Sequence, residues 1–171
     1  MVGTGKSRLS LIALILATAV AAAALAGEPD AGHTHGVNVR GDHAMGFSHM
    51  KATHHFRLLP DGGMIEVTAN DLADSVSREA IRAHLSHAAE MFASGDFSTP
   101  MRIHDRVPPG AADMQRLKDQ IRYAYQPVDN GGRVRISTRN ARALVAIHEF
   151  LRFQITDHKS GDPLEVVDAA R

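Results

Sequence analysis

From Thr53 to Leu59 and again from Met64 to Ala69, apolar and polar residues alternate, with Pro60-Asp61-Gly62-Gly63 between the two runs. Alternation around a Pro/Gly break is the pattern of a β-hairpin, and it puts Phe56 and Leu58 on one face with Ile65, Val67 and Ala69. The period then lengthens to that of a helix. Ile81, Leu85, Ala88, Ala89 and Phe92 fall on one stripe, opened by Asp74 or Ser75 as N-cap and closed by Gly95. Residues 98–109, holding Pro100, Pro108 and Pro109, read as a loop. A second hairpin is predicted from Ile121 to Val128 and from Arg133 to Thr138, turned by Asp129-Asn130-Gly131-Gly132. A second helix follows Asn140, carries Leu144, Ile147, Leu151 and Ile155, and stops near Ser160-Gly161.

The two stretches line up with each other. Gly62-Gly63, Ile65, Val67 and Asn70 correspond to Gly131-Gly132, Val134, Ile136 and Asn140. Along the helices, at a constant offset of 66 residues, Ala80-Ile81, Leu85 and Ser94-Gly95-Asp96 correspond to Ala146-Ile147, Leu151 and Ser160-Gly161-Asp162. The expected fold class is α+β: a ββα unit duplicated over about 53–97 and 118–163, giving a four-stranded antiparallel sheet with two helices on one face. The other face would carry Arg57, Glu66, Arg122, Arg133 and Arg135 as a solvated surface.

Ahead of this domain the pattern changes twice. Lys6 and Arg8 precede an apolar run from Leu9 to Ala26 that ends in Ala24-Leu25-Ala26, the order of a cleavable signal peptide over residues 1–26. An uncleaved anchor is the rival, since the run is about the shortest that spans a bilayer. Residues 27–46 are rich in Gly and His without an apolar period and read as a flexible leader onto a single domain over 47–171. The expected location is therefore the periplasm or the exterior, with no membrane attachment after cleavage.

Composition sharpens the chemistry. Removing 26 of 171 residues leaves 145, enough for a packed core without disulfides. The signal peptide takes two of the 19 basic residues and no acid, so 17 basic face 19 acidic side chains, and nothing recruits nucleic acid. There is no cysteine, yet there are 11 histidines, all after residue 32. Soft-metal chemistry must then use imidazole and thioether.

His43, Met45, His49, Met50, His54 and His55 crowd one stretch. Alternation turns His54 inward with Phe56 and His55 outward with Arg57. His84 and His87 are three apart on the first helix, with Met91 further along that side, and the offset of 66 pairs them with Phe150 and Phe153. Met101 and His104 lie in the expected loop, while His158, at the last turn of the second helix, is placed to favour its dipole. The candidate metal ligands are His49, His54, His84, His87 and His104 with Met45, Met50 and Met101. Copper is the expected ion, above all copper(I), with zinc or noncovalent haem as alternatives.

His43-Ala44-Met45-Gly46-Phe47, Thr53-His54-His55-Phe56-Arg57, Gly95-Asp96-Phe97, Ile103-His104-Asp105 with Pro108-Pro109-Gly110, and Ile147 to Gln154 together resemble a family of small exported bacterial proteins without an established activity. The likeness covers about residues 41–162. Members are sometimes labelled aspartate carbamoyltransferase, and Ser137-Thr138-Arg139 resembles that enzyme's carbamoyl-phosphate loop. Asn140 departs from the loop's pattern, and the chain is short for two α/β domains. The resemblance therefore carries no catalytic residue over.

The expected function is sequestration or delivery of copper outside the cytosol, with a metal ion, a periplasmic partner protein and a homo-oligomer as possible associates. The alternative is a non-metal ligand-binding or interaction module whose histidines are structural. An enzyme comes third, with no reaction to name.

Overall fold

The computed structural model describes Met1 and residues 31–168. Met1 apart, the signal peptide expected over residues 1–26 lies outside the described residues. Four strands, β1 Ala52–Leu59, β2 Gly62–Ala69, β3 Ile121–Val128 and β4 Gly131–Thr138, form one antiparallel sheet in the order β1-β2-β4-β3. Five helices accompany it among the described residues: α1 Ala31–Met45, α2 Ser75–Ser94, α3 Ser98–His104, α4 Ala111–Arg116 and α5 Ala141–His158. The chain is α+β, as the alternation and the helical stripes require.

The glycines sit differently from the expectation. Only Pro60-Asp61 and Asp129-Asn130 turn the hairpins, and each Gly-Gly pair opens the following strand. The cause is the close approach of the two inner strands, β2 and β4, where they pair. A β-carbon on Gly62 would lie 2.1 Å from the Ile136 carbonyl oxygen, and one on Gly131 2.0 Å from that of Val67. Gly63 and Gly132 face the helices instead, and Leu151 and Leu85 fill the space above them. Each long helix thus rests its matching leucine on the glycine of the other hairpin.

Capping explains where these helices begin. The Asp74 side chain accepts from Ser77 N–H at 3.0 Å, and the Asn140 side chain from Ala143 N–H at 2.9 Å. Helix α2 stops at Gly95 in the left-handed region, and α5 at Lys159, also left-handed. Their buried stripes, Ile81, Leu85, Ala89 and Phe92 on α2 and Ile147, Phe150, Leu151 and Ile155 on α5, close on Phe56, Ile65, Val67, Val134 and Ile136.

Two segments expected to lack regular structure are helical. Over Ala31–Met45, read as part of a flexible leader, the chain forms α1, which buries Val37 and Met45 and whose Arg40 Nε donates to Ile103 O at 2.9 Å. Gly32, Gly36 and Gly41 weaken its propensity and few apolar residues mark its inner face, so tertiary contacts supply the order. Within the expected loop, Ser98–His104 forms α3, where Pro100 sits in the first turn and disrupts little. Beyond α5 the chain returns along β1, where Val167 N–H donates to Leu58 O at 2.9 Å.

On the opposite face, Arg133 pairs with Glu66 at 3.1 Å and Arg135 with Asp61, while Arg57 and Arg122 are exposed. Among the described residues no helix is long and apolar enough to cross a membrane.

Candidate functional site

The inward face of β1 is apolar at its end and turns polar toward its start. Phe56 and Leu58 are buried, but the next inward residue is His54, opposite Val67. Over it lies the end of α5, and the His158 ring stacks on His54 at 5.3 Å between centroids and 11° between planes. Phe47, following α1, stacks on His54 from another side at 6.1 Å and meets the edge of His84 on α2 at 5.8 Å. His54, His84 and His158 border a cavity of about 100 Å³ under α2 and α5. Met45, His54, His84, His87, Met91, His104, Gln154 and His158 line it beside an apolar remainder.

Burial sets the protonation of the cluster. It pushes His54 down to about 4, with His84, His49 and His55 adding positive charge to the penalty. It pushes His84 to about 4, with His87 contributing. His158 falls to about 3, again through burial first and then His54 and His104, opposed by Asp157. The three imidazoles are therefore neutral at physiological pH, the form that binds metals. His54 Nε2 is buried and has no hydrogen-bond partner. Such an orphan costs roughly 1–3 kcal/mol and calls for an account.

The eight residues nominated from sequence do not converge on one site. Met45, His54, His84 and His87 line the cavity, His87 from its exposed rim. His104 lines it too, but both its ring nitrogens are engaged: Nδ1 with Asp157 at 2.5 Å and Nε2 with Gln154 at 3.0 Å. Burial lowers His104, against the hydrogen bonds from Asp157 and Gln154. A neutral His104 donating from Nδ1 to Asp157 accepts at Nε2 if the Gln154 amide is turned over, which also employs the Gln154 Nε2 that otherwise lacks a partner. Asp157 further receives His33 at 3.0 Å and Arg106 at 2.6 Å. Burial works to raise this carboxyl, but the bonds from His104 and His33 prevail and hold it below its ordinary value. His104 is thus a strut joining α3 to α5.

His49 is held by Asp42 in a separate pocket beside the cavity. Met50 and Met101 are exposed, at 75% and 39%. Among the described residues, no group of three or more His, Asp or Glu side chains is arranged to hold a metal ion. Of the remaining histidines, His55 pairs with Asp162 at 3.0 Å on the far face, and His148 Nε2–H donates to both Leu59 O and Gly62 O at the first hairpin's turn.

The residues that sequence reasoning left out of the site are His158 and Met91. His158, assigned to the helix dipole, is instead the lid on His54. The signal was present: the offset of 66 pairs His158 with Phe92, a core position.

No protein-family model, no curated protein and no solved structure matches this chain. The chemistry of the cavity has to be read from its own residues.

Proposed function

We propose that this is an exported copper-binding protein that sequesters copper(I) or hands it to a partner in the cell envelope. His54 and His84 supply imidazole nitrogens in the cavity and Met45 a thioether, with Met91 as a further sulfur nearby. The observation that carries this reading is the buried, partnerless His54 Nε2 on a cavity that also holds neutral His84 and two methionines. A metal ion would give that nitrogen the partner it lacks.

Softness selects the ion. Thioether ligands favour copper(I), which accepts low coordination numbers, whereas structural zinc takes a closed tetrahedral set of protein ligands. A cavity of about 100 Å³ is also far below the several hundred that a drug-sized ligand needs, so haem does not fit it.

The largely apolar lining favours one second reading, a small uncharged ligand held by His54 Nε2. Titration of the reduced protein with copper(I) against a chromophoric chelator separates the two. The copper reading expects tight stoichiometric binding that His54→Leu abolishes. Binding no better than micromolar would end it, and stabilisation by a small apolar probe such as xenon would then support the second.

A further inference from the structure

The cavity has a neighbour. A second pocket of about 260 Å³ lies between α1 and the start of β1, lined by Asn38, Gly41, Met45, His49, His54 and His158 among others. Met45, His54 and His158 line both spaces, so the wall between them is made of potential ligands.

His49 is oriented in this outer pocket as a ligand would be. Its backbone N–H donates to Asp42 Oδ1 at 2.6 Å, and its ring Nδ1 lies 2.8 Å from the same oxygen. A carboxylate accepts only, so Nδ1 carries the proton and Nε2 keeps its lone pair. Carboxylates behind metal-bound histidines fix tautomer and ring in this way. Both side chains are about a third exposed, His49 at 31% and Asp42 at 35%, so an ion can reach them from solvent.

We infer that the outer pocket is an acquisition site for the same ion, where His49 Nε2 and the Met45 thioether first take copper(I) before it passes inward to His54 and His84. This rests on the copper reading of the inner cavity. Each step is a ligand exchange, in which one Cu–N or Cu–S bond forms as another breaks. The ion keeps its oxidation state at every step, and a ring whose Nδ1 carries the proton binds through the Nε2 lone pair, so neither an electron nor a proton has to move. Met45 and His54, bordering both spaces, keep the ion bound throughout the transfer.

A built-in control exists. The His55–Asp162 pair has the same Nδ1-to-carboxylate arrangement, with Asp162 also fixed by Phe56 N–H at 2.9 Å, but it borders neither pocket.

The experiment is stopped-flow transfer of copper(I) from a chromophoric chelator to the purified protein, with equilibrium affinity measured on the same samples. His49→Gln should slow loading about 10-fold or more while affinity stays within about twofold, Asp42→Asn should slow it less, and His55→Gln should change neither. Loading of His49→Gln at the wild-type rate would overturn the acquisition site and leave the inner site standing. An equal loss of rate and affinity would make His49 part of the holding site and overturn it as well. Failure of the wild-type protein to bind copper(I) would end both proposals.

Discussion

Where the end of α2 meets β3, Phe92 and Tyr123 face each other with ring centroids 5.8 Å apart; where the end of α5 meets β1, His158 and His54 do so at 5.3 Å. His158 lies 66 residues after Phe92, and Tyr123 lies 69 after His54, the offsets that also relate the helices and the hairpin glycines. The first pair is tilted by 52° and the second stacked within 11°, and one corner is finished in aromatic carbon where the other has imidazole. Each leaves one buried polar atom without a partner, the Tyr123 hydroxyl in the first and His54 Nε2 in the second. An orphan atom alone therefore does not mark a site. What differs is its surroundings and chemistry. Burial pushes the Tyr123 phenol up, so it stays protonated, whereas the buried imidazole offers a free lone pair. Phe92 lines the cavity but Tyr123 does not, whereas both rings of the histidine corner line it, with His84 where the other helix has Phe150. Burying an imidazole nitrogen without a partner carries a desolvation cost that a ring of carbon does not.

The comparison can be broken by converting one corner into the other. His54→Tyr with His158→Phe should leave the fold at least as stable in urea denaturation and weaken copper(I) binding by more than about 100-fold, beyond the effect of altering residues behind a ligand. Next in size is the glycine on which each helix rests. A β-carbon on Gly63 would stand 2.1 Å from Leu151 Cδ1 and 2.8 Å from the Arg57 carbonyl oxygen, whereas on Gly132 the nearest atoms are Tyr125 Cε2 at 2.8 Å and Leu85 Cδ1 at 3.3 Å. Gly63→Ala should cost about 3 kcal/mol and Gly132→Ala about 1 kcal/mol, because only the first meets backbone as well as a leucine.

A third difference is in pH. His54, His84 and His158 titrate in the folded protein at about 4, 4 and 3, below their unfolded value of 6.5. The unfolded chain therefore binds more protons in this window. Stability is full above about pH 6.5 and falls as the pH drops toward 4, by up to about 1.4 kcal/mol per pH unit for each imidazole. Denaturation at pH 7, 6 and 5 should show the slope, and the His54→Tyr/His158→Phe variant should lose about two-thirds of it. The smallest effect is expected at the rim, where His87→Phe should change stability by less than about 0.5 kcal/mol.

Much of the architecture was legible because it obeys a simple period. Strand alternation placed His54 inward and His55 outward, and Asp74, Gly95 and Asn140 marked the helix ends by their capping chemistry. Helix α1 was not legible, since its three glycines and sparse apolar residues give no stripe, and contacts with α3 and Asp157 hold it. Of the site, the inward His54 and the helical pair could be read. His104 could not be recognised as a strut, because its partners Gln154 and Asp157 lie about 50 residues further on, and only packing brings them within reach.

On the copper reading proposed above, imidazole nitrogen and methionine sulfur hold copper(I) in the cavity together. The most direct measurement is the X-ray absorption spectrum of the copper(I)-loaded protein, compared with that of the Met45→Leu variant. A shell of imidazole nitrogens with a sulfur scatterer that weakens or disappears in the variant is the result expected. A spectrum of nitrogen and oxygen alone, unchanged by Met45→Leu, would contradict it.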